Sequence, residues 1–248
     1  MRKIVYIVFL MIAFACDSES ANDCFQTAGT IIQKEIQVDV FDKIFVNRDI
    51  ELVIKEGPEQ KVLIETGKNL MPDVTAEVLE GKLTLTDNNT CNYVRDYGIT
   101  KVYITSPNLT EVRSSTQFDI RSDGVLTYPT IAFLSEDYGV PGSYTNANFY
   151  LTIDNDNLRF VFNNLSNAYV TGQTNALNVL LASGTSRFEG RELVAQKINV
   201  NNRSANDIII NPQQEIKGKI SGTGNVISVN KPAIVEVEEV YKGRLIFE

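Results

Sequence analysis

The chain has 248 residues, with 23 Lys or Arg against 31 Asp or Glu, and so carries a formal net charge of −8. That balance, with no cluster of Lys and Arg, argues against nucleic acid or an anionic lipid surface as a partner, since both require cations gathered in patches. Histidine is absent, which removes Ser-His and Cys-His nucleophile systems, imidazole proton shuttles and histidine zinc ligands.

Taken in chain order, residues 1–16 read as a signal peptide. Arg2 and Lys3 form a positive start, Ile4 to Phe14 an apolar run, and the small residue Ala15 precedes Cys16. As a helix the apolar run rises only about 16 Å, against roughly 30 Å of hydrocarbon, so it is too short to remain as a membrane span. The Ala15-Cys16 ending resembles the lipobox of bacterial lipoproteins, which implies cleavage before Cys16 and lipid attachment to it. Phe14 departs from the small residue usual there, and an ordinary secretory signal is the alternative. Two or more acyl chains would hold the protein on a membrane without crossing it. Residues 17–35 read as an acidic tether and lead-in segment, starting Asp17-Ser18-Glu19-Ser20. Acidic residues at this place resemble the surface-export signals of Bacteroidetes lipoproteins; a merely solvated tail is the other reading. The expected location is an exported outer-membrane lipoprotein, facing the periplasm or the cell surface.

With Cys16 set aside, Cys24 and Cys91 remain. In an oxidising compartment an even pair reads first as a disulfide, stabilising by about 4 kcal/mol in the chain-entropy model. Two unrelated buried thiols are the alternative.

The body of the chain alternates apolar and polar residues and is rich in Val, Ile, Thr, Tyr and Phe, the pattern of a β-protein. Residues 36–107 form an N-terminal β region with strands expected at Ile44 to Val46, Ile50 to Lys55, Lys61 to Glu65, Val74 to Leu79, Lys82 to Thr86 and Lys101 to Thr105. Glu80-Gly81 supplies a tight turn. A helix over Leu70 to Leu79 is ruled out by Pro72 and by the period of two through Val74, Ala76 and Val78.

From about residue 150 the sequence repeats. Leu158-Arg-Phe-Val-Phe-Asn-Asn, Leu177-Asn-Val-Leu-Leu-Ala-Ser, Gln196-Lys-Ile-Asn-Val-Asn-Asn and Glu215-Ile-Lys-Gly-Lys-Ile-Ser align at steps of 19 residues. One apolar strand, a small polar turn and a second short strand per repeat are what one coil of a β-solenoid requires, since each coil buries its inner face only by stacking. On this alignment Phe160, Val179 and Ile198 share one inward position, Phe162, Leu181 and Val200 the next, and Asn164, Ser183, Asn202 and Ser221 are candidates for a corner ladder. The last coil slips by one residue, so that Ile220 continues the second column. Partial matches place the start of the solenoid near residue 108, giving solenoid repeats over 108–232 and a C-terminal strand segment over 233–248. An antiparallel sandwich is the alternative.

No catalytic constellation, cofactor motif or metal-ligand pattern is present; Gly222-Thr-Gly is too short for a phosphate loop and precedes a strand. The densest oxygen clusters are Glu136-Asp137 and Asp154-Asn155-Asp156-Asn157. Glu136, Asp137, Asp154 and Asp156, with Tyr138 and Tyr144, are therefore the candidate ligand-binding residues for calcium or sugar hydroxyls. Turns and a solvated face are the plainer explanation of the acids, and the tyrosines, with Tyr150, serve equally to plug the loop against the coil.

Val40-Phe41-Asp42-Lys43-Ile44, Gly57-Pro58-Glu59-Gln60-Lys61-Val62, Gly81-Lys82-Leu83-Thr84-Leu85, Ile104-Thr105-Ser106-Pro107-Asn108-Leu109 and Ile220-Ser221-Gly222-Thr223-Gly224-Asn225-Val226 together resemble the auto-transporter adhesin head family, also called the GIN domain. The likeness spans roughly residues 36–232. Asn163-Asn164-Leu165-Ser166 and Asn202-Arg203-Ser204 depart from the family's Ser-Gly turns. The resemblance implies a right-handed parallel β-helix and an envelope location; as a domain of unknown function, the family implies no activity. The expected protein is a lipid-anchored surface for adhesion, binding or scaffolding, with an envelope or matrix glycan or protein as partner and no nucleic acid. The alternative is a protein that binds or cleaves polysaccharide through acids in the 136–156 region.

Overall fold

The computed structural model describes residues 23–248. The signal peptide, Cys16 and the first residues of the tether lie outside the described residues. Among the described residues the chain is all-β: seventeen strands and two 3-10 turns, Asp23–Phe25 and Met71–Asp73. The strands join in one sheet of mixed orientation that curls nearly closed, in the manner of a barrel.

The first seven strands are β1 (Ile31–Ile36), β2 (Lys43–Val46), β3 (Ile50–Glu56), β4 (Lys61–Gly67), β5 (Val74–Leu79), β6 (Lys82–Asp87) and β7 (Thr100–Ser106). Three short ones follow, β8 (Glu111–Ser114), β9 (Ile120–Leu126) and β10 (Thr130–Ser135), and then four long ones, β11 (Asn148–Phe162), β12 (Asn167–Leu181), β13 (Arg187–Asn202) and β14 (Ile208–Ile220). The chain ends in β15 (Val226–Ser228), β16 (Ile234–Glu239) and β17 (Leu245–Phe247). Alternation drives each choice. In β3, for example, Ile50, Leu52 and Ile54 are buried while the residues between them face outward, as a strand with one apolar face demands. Glu80 and Gly81 both adopt positive φ, 52° and 74°, the pair of left-handed conformations that lets a two-residue turn join β5 to β6.

Side chains line up across the sheet in two long inward columns. One runs Leu83, Ile44, Val112, Phe133, Phe160, Val179, Val200, Gly218 and Val237, through parallel pairs from β6 to β16. The other runs Val102, Leu52, Ile120, Phe149, Ala168, Phe188, Ile208, Val226 and Leu245, through parallel pairs from β7 to β17. Aromatic rings join the columns into one core. Phe133 stacks on Phe160 at 5.3 Å and meets Phe149 edge-on at 5.9 Å, while Phe149 stacks on Phe162 at 5.0 Å. Such pairs add about 0.5–1.5 kcal/mol each beyond their burial.

The repeat alignment needs a correction in its third member. Between β11 and β12 the step is 19 residues throughout, but β12 and β13 begin at a step of 20 and, after an irregularity between Tyr169 and Gly172, continue at 21. Val200 therefore follows Val179, Ile198 follows Leu177, and Asn202 stands between Leu181 and Ile220. The physical cause is a bulge. Because the total displacement from the 19-residue step is two residues beyond that point, one present from the start of the pair and one added at the irregularity, side chains there keep their face, and the apolar residues expected inside remain inside. Asn164, Ser183, Asn202 and Ser221 are not register partners. Asn202 is instead buried in the core, where its amide nitrogen donates to the carbonyls of Asn206 (3.1 Å), Gly224 (3.2 Å) and Asn225 (3.2 Å), so it carries no unmet hydrogen bond at that atom.

The sheet closes differently at its two ends. At one, β4 pairs antiparallel with β7 and β1 with β4, and β5 pairs antiparallel with β6. A disulfide joins Cys24 to Cys91 there, with 4.4 Å between their Cα atoms. Beside it the buried Arg95 guanidinium donates to Asp23 Oδ1 (2.9 Å) and to the carbonyls of Asp23 (2.6 Å) and Cys91 (2.9 Å), clamping the start of the described chain to the 88–97 loop. At the other end β16 and β17 are largely exposed, and Glu236, Glu238 and Glu239 furnish the charge that discourages edge-to-edge pairing.

Candidate functional site

The loop between β10 and β11 opens with a fixed acid. Glu136 is buried and ion-paired to Arg113, and its carboxylate accepts the backbone N–H groups of Tyr138 (2.6 Å) and Gly139 (2.9 Å). Burial raises its pKa, but the Arg113 hydrogen bond, the two N–H groups and the Arg113 charge outweigh burial and hold the carboxyl below its usual range. Its oxygens are occupied in shaping the loop. Asp137 accepts from Asn163 Nδ2 at 2.5 Å. Tyr138 is 67% exposed, and Tyr144, 43% exposed, lies under the Arg48 guanidinium at 5.0 Å, a contact of cation–π type.

Asp154, Asn155 and Asp156 sit elsewhere, midway along β11. Each accepts from the residue paired with it, or next to such a pair, on β12: Gln173 Nε2 to Asp154 at 2.9 Å, Thr174 Oγ1 to Asn155 at 2.8 Å and Asn175 Nδ2 to Asp156 at 2.7 Å. These rungs form the hydrogen-bonded ladder that stacked strands can make at matching positions, ten residues before the Asn164 position at which the sequence suggested it. They line a hollow of about 350 Å³ together with Thr127 and Pro129, which neither Glu136 nor Asp137 reaches. The two acidic clusters therefore do not share this hollow. Among the described residues no group of three or more His, Cys, Asp or Glu is placed to hold a metal ion.

Two grooves that the sequence did not indicate lie on the outward faces of the long strands. One, of about 560 Å³, contains Tyr150 and Tyr169 with their rings stacked at 5.0 Å and nearly parallel, at 8°. The Arg121 guanidinium covers Tyr150 at 4.3 Å and is also held by Asp119 and Glu51. Tyr150 is covered on both faces, by the Tyr169 ring on one and by a cation already paired with acids on the other.

The larger groove, about 700 Å³, crosses β10 to β14. Two outward columns shape it. One is Thr130, Asn157, Ala176, Lys197 and Glu215; the other is Ala132, Arg159, Asn178, Asn199 and Lys217. Small side chains at Ala132 and Ala176 leave the hollow, and longer polar ones rim it. Lys217 is paired with Glu215 (3.1 Å) and Glu236 (3.5 Å). Among the described residues Arg159 and Lys197 have no ion-pair partner. The sequence signal for this groove was present in the repeat, but it required the true register, because the bulge between Tyr169 and Gly172 decides which outward residues become neighbours.

A family model described as "Putative auto-transporter adhesin, head GIN domain" matches residues 40–232. Among solved structures, one titled a putative adhesin from Bacteroides fragilis NCTC 9343 is 15% identical, with a TM-score of 0.77 over 90% of this chain and 99% of that one. A putative adhesin from Parabacteroides merdae ATCC 43184 is 16% identical, with a TM-score of 0.59 over 89% of this chain and 97% of that one. A protein titled a putative lipid binding protein, from Parabacteroides distasonis ATCC 8503, is 16% identical, with a TM-score of 0.59 over 88% of this chain and 97% of that one. At such identities the likeness is one of fold alone. No curated protein matches the chain.

Proposed function

The chain belongs to the GIN-domain family of auto-transporter adhesin heads, and from that premise we propose that it is a lipid-anchored cell-envelope protein that presents the side of a β-solenoid as an adhesion or scaffolding surface. Residues 1–16 address it to the envelope, Cys16 carries the lipid, and 17–35 tether the domain. The N-terminal strands of 36–107 and the repeats of 108–232 then form one right-handed parallel β-helix, extended by 233–248. Right-handedness follows from the strong preference of parallel crossovers for that hand.

The observation that supports this reading is the pair of inward columns, each crossing the sheet from the N-terminal strands to the last coil. A core built this way places the complementary residues in equally regular outward columns, so contacts that are individually weak repeat along an extended face. The partner is an envelope or matrix glycan or protein.

The test is incorporation of a labelled fatty acid into the chain in its host, alongside attachment of cells to extracellular matrix. Label on the native chain, none on Cys16→Ser, and attachment lost in cells carrying Cys16→Ser constitute the expected result. An unlabelled native chain refutes the anchor, and attachment unchanged when the gene is deleted refutes the adhesion role.

A further inference from the structure

We propose that the groove across β10 to β14 binds a linear anionic polysaccharide, a chain of sugars bearing carboxylate or sulfate groups, through Arg159 and Lys197. This rests on reading the side of the sheet as a binding surface, and it names the ligand class and the place.

Charge is the first argument. On a chain of net charge −8, several cations are matched to acids, among them Lys55 to Asp123 at 2.9 Å, Lys61 to Glu35 at 2.7 Å and Lys219 to Glu238 at 3.1 Å, and what sets Arg159 and Lys197 apart is that two cations outside such pairs share one hollow. Arg159 and Lys197 rim the same groove, and among the described residues neither has a carboxylate partner. The register sets their spacing. Arg159 pairs with Asn178 and Lys197 with Ala176, so the two cations stand two strands and two residues apart, about 12 Å between Cα atoms. With Cα atoms that far apart, the two charged ends can be engaged separately by an extended ligand that carries an anionic group at each end of the span.

Neutral groups supply the second argument. Asn178 and Asn199 lie side by side, Asn178 next to Arg159 and Asn199 two residues along β13 from Lys197, and each amide offers two donors and an acceptor, the complement of neighbouring sugar hydroxyls. Among the described residues neither side chain is engaged in a hydrogen bond. Ala132 and Ala176 leave an apolar floor against which the C–H face of a sugar ring packs. The volume, about 700 Å³, is within the range of ligand clefts.

Other polyanions fit less well. An acidic peptide binding as an added strand needs a free backbone edge, and β11, β12 and β13 are each paired on both sides through this region. Nucleic acid needs many phosphate contacts to release counterions, and the groove offers three cations, of which Lys217 is already paired with Glu215 and Glu236.

The experiment measures binding of oligogalacturonate, dextran sulfate and uncharged dextran to the purified, oxidised full chain at low salt. The carboxylated and sulfated arms separate the two sources of negative charge. Binding of at least one anionic glycan, none of uncharged dextran, and loss of affinity by about tenfold or more in Arg159→Gln/Lys197→Gln are expected, as for removal of charge-assisted hydrogen bonds. The control Lys55→Gln/Lys61→Gln removes the same charge from ion-paired positions and should change affinity less than about twofold. No binding to either anionic glycan, or equal losses in the two double variants, overturns the proposal. If it fails while native cells still attach and Cys16→Ser cells do not, the groove is excluded and the adhesion reading stands; if attachment is also independent of the protein, both fall.

Discussion

Replacing Phe160 by alanine should be among the most damaging single changes in the core. The ring is fully buried in the first inward column, stacked on Phe133 at 5.3 Å, tilted against Phe188 at 5.1 Å and edge-on to Phe162 at 5.7 Å. Its neighbours come from β10, β11 and β13, and β12 lies between them in the pairing order, so the cavity cannot be filled by movement of one strand. Truncation of a buried phenylalanine costs about 3–5 kcal/mol, and the three lost ring contacts place the expectation at the upper end, about 4–5 kcal/mol. For a chain of this size that corresponds to a fall in Tm of roughly 8–20 °C. Urea denaturation followed by far-UV circular dichroism and tyrosine fluorescence measures it. Phe160→Leu, which keeps apolar volume but loses the ring geometry, should cost about 1–2 kcal/mol. A loss below about 1 kcal/mol for Phe160→Ala would refute the packing argument, because it would mean that the ring is not enclosed as described.

The other predictions concern the clamp, the loop and the close approach of strands. Replacing Cys24 and Cys91 together by serine frees a loop with a sequence separation of 67 residues and should destabilise by about 4 kcal/mol, read as a lower midpoint in non-reducing urea titration. Glu136 has a carboxyl pKa held below its ordinary value of 4.5, so its contribution is present above that value and disappears as pH falls through the lower folded one. Glu136→Gln should therefore lower stability at neutral pH and flatten the acid limb of a stability–pH curve; an unchanged acid limb would contradict the assignment. Gly218 has φ of 134°, and a Cβ there would come within 1.8 Å of the Val200 carbonyl oxygen, so Gly218→Ala should cost about 2–5 kcal/mol in thermal melts.

Much of the fold was legible because short-range alternation reports which face a residue occupies. Each strand expected between Ile44 and Thr105 is present within two residues of its bounds, and the Glu80-Gly81 turn occurs with the conformations such a turn needs. The register was legible only where chain length per repeat is constant. Between β11 and β12 nothing is inserted and the 19-residue step is kept; between β12 and β13 the step is 20 from the start and a bulge adds one more, a total of two that leaves the same side chains facing inward. Apolar periodicity is blind to a shift of two, since it preserves parity. The candidate site suffered from the same blindness in a different form. Asp154 and Asp156 stand out by composition, and one oxygen of each accepts from Gln173 or Asn175 on the next strand. Arg159 and Lys197 are unremarkable in sequence and become neighbours across a groove only through the pairing of three strands.

The stacking register itself can be tested by cross-linking. Asn178 and Asn199 are direct partners on β12 and β13, and both are exposed, so their Cα atoms stand about 4.8 Å apart, within the span of a disulfide. Asn178 and Lys197, which the uncorrected 19-residue step would pair, are displaced by two residues and stand about 8 Å apart, too far to be bridged. Mild oxidation of Asn178→Cys/Asn199→Cys should give a new internal disulfide by peptide mass spectrometry, with Asn178→Cys/Lys197→Cys remaining reduced. A bridge in the second variant and none in the first would contradict the register on which the core and the groove both depend.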